Sequence, residues 1–343
     1  MSTKHAIGMD IGHSTVKLSF RLGKEVRQII FPSVARPAFT INDDETARQA
    51  ARETVDVGGV PYFFGQTALF QSAGQVVSGL VDDWIERPEH TALISGAIKK
   101  LEDAGVVMKD SVLCMGLPTN LASKYRDRLK AIVNKLVEVD TILVMPQSHA
   151  PLYTMVFDQE GFGIDGGNKL RDEAWGVIEV GYYTTDFMII DKGQFFQGAE
   201  GACKGVHVAS QRLHRTLADR GVDCSLMDAE EMLRTKRMKD MGRVVDLSKE
   251  VEDSVNEIVT LVEDESNRLM KDKVRRLDGI LVAGGGAPLV IEKFTEKWPH
   301  SVLSENPRFS VSEGMRRFGE ADLRRRGFAV QGKKAAATEV EAV

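Results

Sequence analysis

Cysteine is scarce in this chain, at three in 343 residues, and Cys114, Cys203 and Cys224 stand far apart. Three widely spaced cysteines build neither a disulfide framework nor a zinc pattern, and a reducing, cytoplasmic setting suits them best. Long apolar runs are missing. None reaches the roughly 20 residues that a membrane span needs, and the N-terminus lacks a secretory pattern. A surplus of positive charge is missing too: 45 Lys and Arg stand against 50 Asp and Glu, for a net charge of −5. Broad, direct contact with nucleic acid needs a basic surface and is not expected. The Walker pattern and a strand-linked Gly-x-Gly-x-x-Gly are both absent, which removes P-loop and dinucleotide readings. His207, His214 and the other histidines show no metal-ligand spacing.

What is present is an ordinary globular composition, 43% hydrophobic and 28% charged, in a chain long enough for two domains. The stretch Ala6 to Phe20, AIGMDIGHSTVKLSF, organises it. Its apolar start predicts a buried strand ended by Asp10. Gly12, His13, Ser14 and Thr15 make a small polar turn, and Val16 to Phe20 runs back as a second strand. Such a turn aims backbone N–H groups and hydroxyls at whatever lies above it. Lys17 adds a cation, and Asp10 a carboxylate able to hold a hydrated Mg²⁺. The result is a phosphate cradle; taken alone, it is equally an ordinary hairpin.

Val26 to Phe31 predicts a third strand, Val34 to Arg52 a polar surface excursion, and Thr54 to Gly65 a hairpin turning at Gly58-Gly59. Helices are expected from about Glu89 to Ala104 and Ala122 to Val137, and strands over Ser111 to Gly116 and Thr141 to Met145. Strands alternating with helices predict an α/β domain. The second half repeats the theme. Trp175 to Val180 and Phe187 to Ile190 flank a turn, Gly181 to Thr185, that again holds a glycine and hydroxyls beside a carboxylate. Gln194 to Gln197 follows as a strand. Helices are expected over 206–220, 228–239 and 247–271, and a strand over Gly279 to Ala283 that ends in Gly284-Gly285-Gly286. Ser312 to Arg326 predicts a helix with Arg316, Arg317 and Arg324 to Arg326 on a basic, solvated face. A disordered tail is expected from Val330.

Five segments in order resemble the actin/Hsp70/sugar-kinase superfamily: Asp10 to Lys17, Val144 to Ser148, Glu179 to Asp186, Gly284 to Gly286, and Ser312 to Met315. Within it, the strings VLCMGLPT and ILVMPQSHA are similar to stretches of the ParM/StbA plasmid-segregation actins. The resemblance implies two α/β domains of actin (ribonuclease H-like) type, 1–150 plus 310–329 and 151–309, with a nucleotide cleft between them. It implies ATP and Mg²⁺ as cofactors, and an ATPase that polymerises into filaments and moves plasmid DNA through a DNA-binding adaptor. On this resemblance Gly12, His13, Ser14, Thr15 and Lys17 form the first phosphate segment. Gly181, Tyr182, Tyr183 and Thr184 form the second. Gly284, Gly285 and Gly286 face the adenosine, and Glu231 contacts the ribose, with Glu230 and Lys236 beside it. Gln147 orients the attacking water, Asp186 helps polarise it, and Asp10 and Glu179 hold Mg²⁺ through water. Glu179 replaces the Asp usual in the family, and Tyr182-Tyr183 replaces small residues, which puts the rate of hydrolysis in question. Two alternatives stay open, a small-molecule kinase of the same superfamily and a nucleotide-binding adaptor that does not polymerise.

Overall fold

The computed structural model describes residues 4–72, 83–119, 121–167 and 169–328; the tail expected from Val330 lies outside them. The chain opens with β1 (His5–Ile11), β2 (Thr15–Leu22) and β3 (Glu25–Pro32), an antiparallel meander. A small unit follows: β4 (Ala35–Pro37), α1 (Asp44–Arg52), β5 (Thr54–Val57), β6 (Val60–Phe64) and α2 (Gly65–Gln71). The surface excursion expected over 34–52 is corrected here. Asp43 caps α1 by accepting from Thr46 N–H, and Ala50 and Val34 are buried beneath the small sheet. Polar composition hid that helix, because α1 buries only one of its residues, Ala50.

The chain then returns through α3 (Pro88–Asp103), β7 (Ser111–Leu117), α4 (Ala122–Leu136) and β8 (Thr141–Pro146). The first large sheet has the order β3-β2-β1-β7-β8, with β7 and β8 parallel to β1. Parallel neighbours need a crossover, and helices α3 and α4 supply it.

After α5 (Ala150–Val156) and the short α6 (Lys169–Asp172), the pattern recurs. Strands β9 (Ala174–Val180), β10 (Thr184–Asp191) and β11 (Gln194–Phe195) form a second antiparallel meander, and β12 (Gly201–Lys204) pairs with β10. Then come α7 (His207–Ala218), α8 (Leu226–Thr235), the hairpin β13 (Arg237–Asp240) and β14 (Arg243–Asp246), and α9 (Ser248–Met270). The helix expected to run to 239 stops at Thr235, where Lys236 takes a left-handed conformation (φ 55°) and turns the chain into that hairpin. With β15 (Gly279–Ala283), α10 (Ala287–Lys297) and β16 (Ser301–Leu303), the second sheet has the order β11-β10-β9-β15-β16. This path repeats the order of the first sheet, with β12 as an addition. Each sheet has its own core, around Ile7, Leu18, Leu93 and Leu113 in one and Ile178, Phe187, Leu213 and Val282 in the other.

The last helix, α11 (Ser310–Arg325), comes back to pack on β1 and α5. A Cβ on Gly314 would overlap the Ala150 carbonyl, so only glycine lets the two helices cross this closely. The basic solvated face expected of this helix is overturned at Arg316 and Arg317, which are 0% and 6% exposed. Both bond to Glu313, at 2.6 Å from Arg316 and 2.8 Å from Arg317. They also cap carbonyls in the last turn of α5 and just beyond it: Arg317 donates to Thr154 O and Phe157 O, and Arg316 and Arg21 to Gln159 O. Unpaired guanidiniums could not be buried at bearable cost; these are paired. Further along, Arg324 donates to Glu160 O and Arg326 pairs with Asp140, while Arg325 stays largely exposed.

Candidate functional site

The equivalent hairpin turns of the two sheets, β1–β2 and β9–β10, face one cavity of about 390 Å³. Asp10 stands next to the end of strand β1, opposite Lys17 across the β1–β2 ladder. Lys17 Nζ reaches Asp10 Oδ2 at 3.2 Å, and Gln147 Nε2 donates to Asp10 Oδ1 at 2.8 Å. Gln147 follows β8, whose end Pro146 fixes. The three expected groups therefore meet as one linked set, with Gln147 held by Asp10.

From the second sheet, Glu179 enters the same cavity. Burial first, then Asp186 and Asp10, push its carboxyl up to about 8, only partly offset by Lys17. Asp186, its cross-strand neighbour, is 5% exposed and is not among the residues that line the cavity. It accepts from Thr184 Oγ1 at 3.0 Å and from the Thr119 backbone, and burial still raises it to about 6. Asp186 therefore stands beside Glu179, one layer back from the residues that line the cavity, and its charge helps to raise the Glu179 carboxyl.

Gly12, His13, Ser14, Thr15, Gly181, Tyr182, Tyr183 and Thr184 all line the cavity, as expected of the two turns. So do Gly285 and Gly286. Gly284 does not; it serves as the hinge of the strand-to-helix turn at φ 89°, where a Cβ would overlap Val180 O. Proline at the start of α10 suits the turn that presents Gly286 and the first N–H groups of that helix to the cavity.

Contacts cross the mouth of the cavity. Ser14 Oγ bonds both Glu230 oxygens at 3.0 Å. His13 meets the edge of Tyr183 at 5.4 Å and stacks on Trp84 at 5.9 Å. Glu231 pairs with Arg234 and lines the larger outer cleft, whereas Glu230 lines both that cleft and the inner cavity. The buried Ala229 and Leu233 mark the inner side of α8, and that apolar spacing was the signal for choosing Glu230.

Arg234, Lys236, Asn306 and Arg308 add polar lining, and of these only Lys236 was singled out in sequence. Burial and the neighbouring Arg234 hold the Arg308 guanidinium below its usual value. Arg234, Arg308, Lys17 and Lys236 are offset by Asp10, Glu230 and a Glu179 that resists ionisation. The cavity is therefore short of negative charge and chemically suited to an anion. Among the described residues no cluster of three or more His, Cys, Asp or Glu side chains could hold a metal unaided. Asp10 and Glu179, set against each other, fit a hydrated cation carried in with an anionic ligand.

Two similar sheets flanking a polar cleft, with the last helix returning to the first sheet, define an actin-like protein. Residues 8–153 match the family model for the N-terminal domain of actin-like proteins, and 177–296 that for the C-terminal domain of the archaeal actin homologue MreB-like. The two matches take in most of the chain, and with the fold they place it among the actin-like proteins. A search of curated proteins gives no match. Similar solved structures include a 15-stranded ParM filament from Clostridium botulinum, at 18% identity and TM-score 0.72, covering 93% of this chain and 99% of that one. An archaeal actin homolog in complex with ADP is 18% identical at TM-score 0.66, with 94% and 99% covered. The actin-like protein Alp7A is 12% identical at TM-score 0.71, with 95% and 98% covered. Among the described residues no helix is long and apolar enough to cross a membrane.

Proposed function

We propose that this protein is an ATPase that binds Mg²⁺–ATP in the cleft, assembles into filaments and hydrolyses the nucleotide to move plasmid DNA through a DNA-binding adaptor. The observation that carries the reading is the convergence of two topologically equivalent hairpin turns on one anion-seeking cavity, with Asp10, Lys17, Gln147 and Glu179 inside it. The ADP complex of the archaeal homolog and the ParM filament support nucleotide and self-assembly by analogy of fold.

On this reading residues 1–150 plus 310–329 form one domain and 151–309 the other. The turn N–H groups and Lys17 take the terminal phosphates, and Gly285 and Gly286 lie against the adenosine. Asp10 and Glu179 hold the cation that neutralises phosphate charge. Gln147 exchanges its bond to Asp10 for one to the attacking water. Closing the cleft on assembly would bring Gln147 and that water into line.

A second reading, a nucleotide-binding adaptor without turnover, is favoured by the raised carboxyl of Glu179 and by the His13–Tyr183 contact across the phosphate end. Phosphate release by the wild type, Asp10→Asn and Gln147→Ala separates the two. The proposal expects turnover that both variants lose while nucleotide still binds to Gln147→Ala. Full activity in both variants would show that the site is misassigned, and bound but unhydrolysed ATP in the wild type would favour the adaptor.

A further inference from the structure

A second and much smaller cavity adjoins the main one at His13 and Gln147. His13 and Gln147 line both, so they form the wall between them. The small cavity offers water centres about 40 Å³. One water needs roughly 10–15 Å³ of such space, so it has room for two to four. Most of its lining is apolar, from Ile11, Ile85, Leu117 and Leu121, and a purely apolar cavity of this size would stay dry.

It is not purely apolar. Trp84 and His90 also line it, and Trp84 Nε1 and His90 Nδ1 are buried without a hydrogen-bond partner. His90 is 4% exposed, and burial drives its imidazole down to about 3, so the ring is neutral at physiological pH. Each orphaned donor or acceptor costs on the order of 1–3 kcal/mol if nothing meets it. Both costs fall in a cavity that Gln147 also lines, and water bound there would remove them together.

We propose that this cavity is a hydration chamber: waters bound to Trp84 Nε1 and His90 Nδ1 reach Gln147, and Trp84 and His90 are positioning residues for the hydrolytic water. The inference rests on the hydrolase reading above. Its physical logic is access. A nucleotide in the main cavity would occupy the space in front of Gln147, with the Ser14–Glu230 and His13–Tyr183 contacts narrowing the way past it. The chamber adjoins Gln147 and supplies the water consumed in each turnover. Trp84 stacks on His13 at 5.9 Å and meets His90 at 5.6 Å, so a single aromatic layer ties the wall to the chamber.

Two measurements test this. The first is a crystal structure of the full chain at a resolution that shows ordered water. We expect waters bonded to both nitrogens and leading to Gln147; an empty cavity overturns the proposal. The second is steady-state turnover and nucleotide affinity for Trp84→Phe, His90→Leu and His90→Gln. Trp84→Phe and His90→Leu should each lower kcat by about tenfold with KM for ATP and nucleotide affinity within twofold of the wild type, and His90→Gln should recover most of the loss. A merely structural role would instead lower Tm, kcat and affinity together, with no rescue by Gln. Unchanged kcat in the Trp84→Phe/His90→Leu double variant overturns the proposal. A wild type that binds ATP but never releases phosphate refutes the hydrolase reading, and with it the positioning role; ordered water in the first measurement then decides the chamber alone.

Discussion

Glu179→Gln should make the nucleotide-free protein more stable, and increasingly so as pH rises. The carboxyl lies at about 8 in the folded chain, against an ordinary value of 4.5. The folded state therefore binds more protons than the unfolded one between those values, and wild-type stability falls as pH rises through that window. The full difference of about 3.5 pH units corresponds to at most about 5 kcal/mol above pH 8. Glu179 keeps part of its surface open to the cavity, and water there relieves the charge, so about 2 kcal/mol is the expected size. Glutamine copies the protonated acid without titrating. The assay is urea unfolding of wild type and variant, free of nucleotide and divalent cation, at about pH 4 and about pH 8.5. The midpoints should nearly coincide at the lower pH and separate at the higher, with m unchanged. A variant no more stable at high pH, or a gap of equal size at both, would refute the reasoning. The same variant should bind Mg²⁺–nucleotide more weakly, because the strain removed is the feature that suits the site to a cation.

Other substitutions test the frame around the site. Gly284→Ala forces a side chain onto φ 89° and against Val180 O, and should cost more than about 2 kcal/mol in chemical denaturation while weakening nucleotide binding. Arg316→Leu leaves Glu313 and Glu320 buried beside a missing guanidinium, and a loss of about 3–5 kcal/mol should appear as a large drop in Tm. Glu230→Ala removes the partner of Ser14 and should lower nucleotide affinity severalfold, whereas Glu231→Ala, facing the outer cleft, should change it little in the same titration.

Much of this was legible in the chain because the informative elements are short and punctuated. Asp10, the turn at 12–15 and Lys17 announce the first hairpin, and Gly181 to Thr185 announces its counterpart. Pro146 places Gln147 at the end of β8, and Gly284 to Gly286 marks the second strand-to-helix turn. The rest depended on distant partners. Nothing local says that Arg316 and Arg317 cap carbonyls about 160 residues away, so a run of arginines resembled a solvated face. Asp186 shares the face of its cross-strand partner Glu179, but it is buried and is not among the residues that line the cavity, which only the paired strands reveal. The hairpin after α8 was hidden because Lys236 has a helix-forming side chain in a left-handed conformation that sequence favours only for glycine or asparagine. Trp84 and His90 gave no signal at all, since an orphaned nitrogen exists only once the cavity has closed around it.

The most direct test of nucleotide-driven assembly is right-angle light scattering of the purified protein on adding ATP and Mg²⁺, with ADP and Asp10→Asn as controls. The account predicts a rise with ATP that decays as phosphate is released, no comparable rise with ADP, and none with Asp10→Asn. Flat scattering from a wild type that binds and hydrolyses ATP would contradict filament formation, and scattering that rises equally without nucleotide would contradict the role given to the cleft.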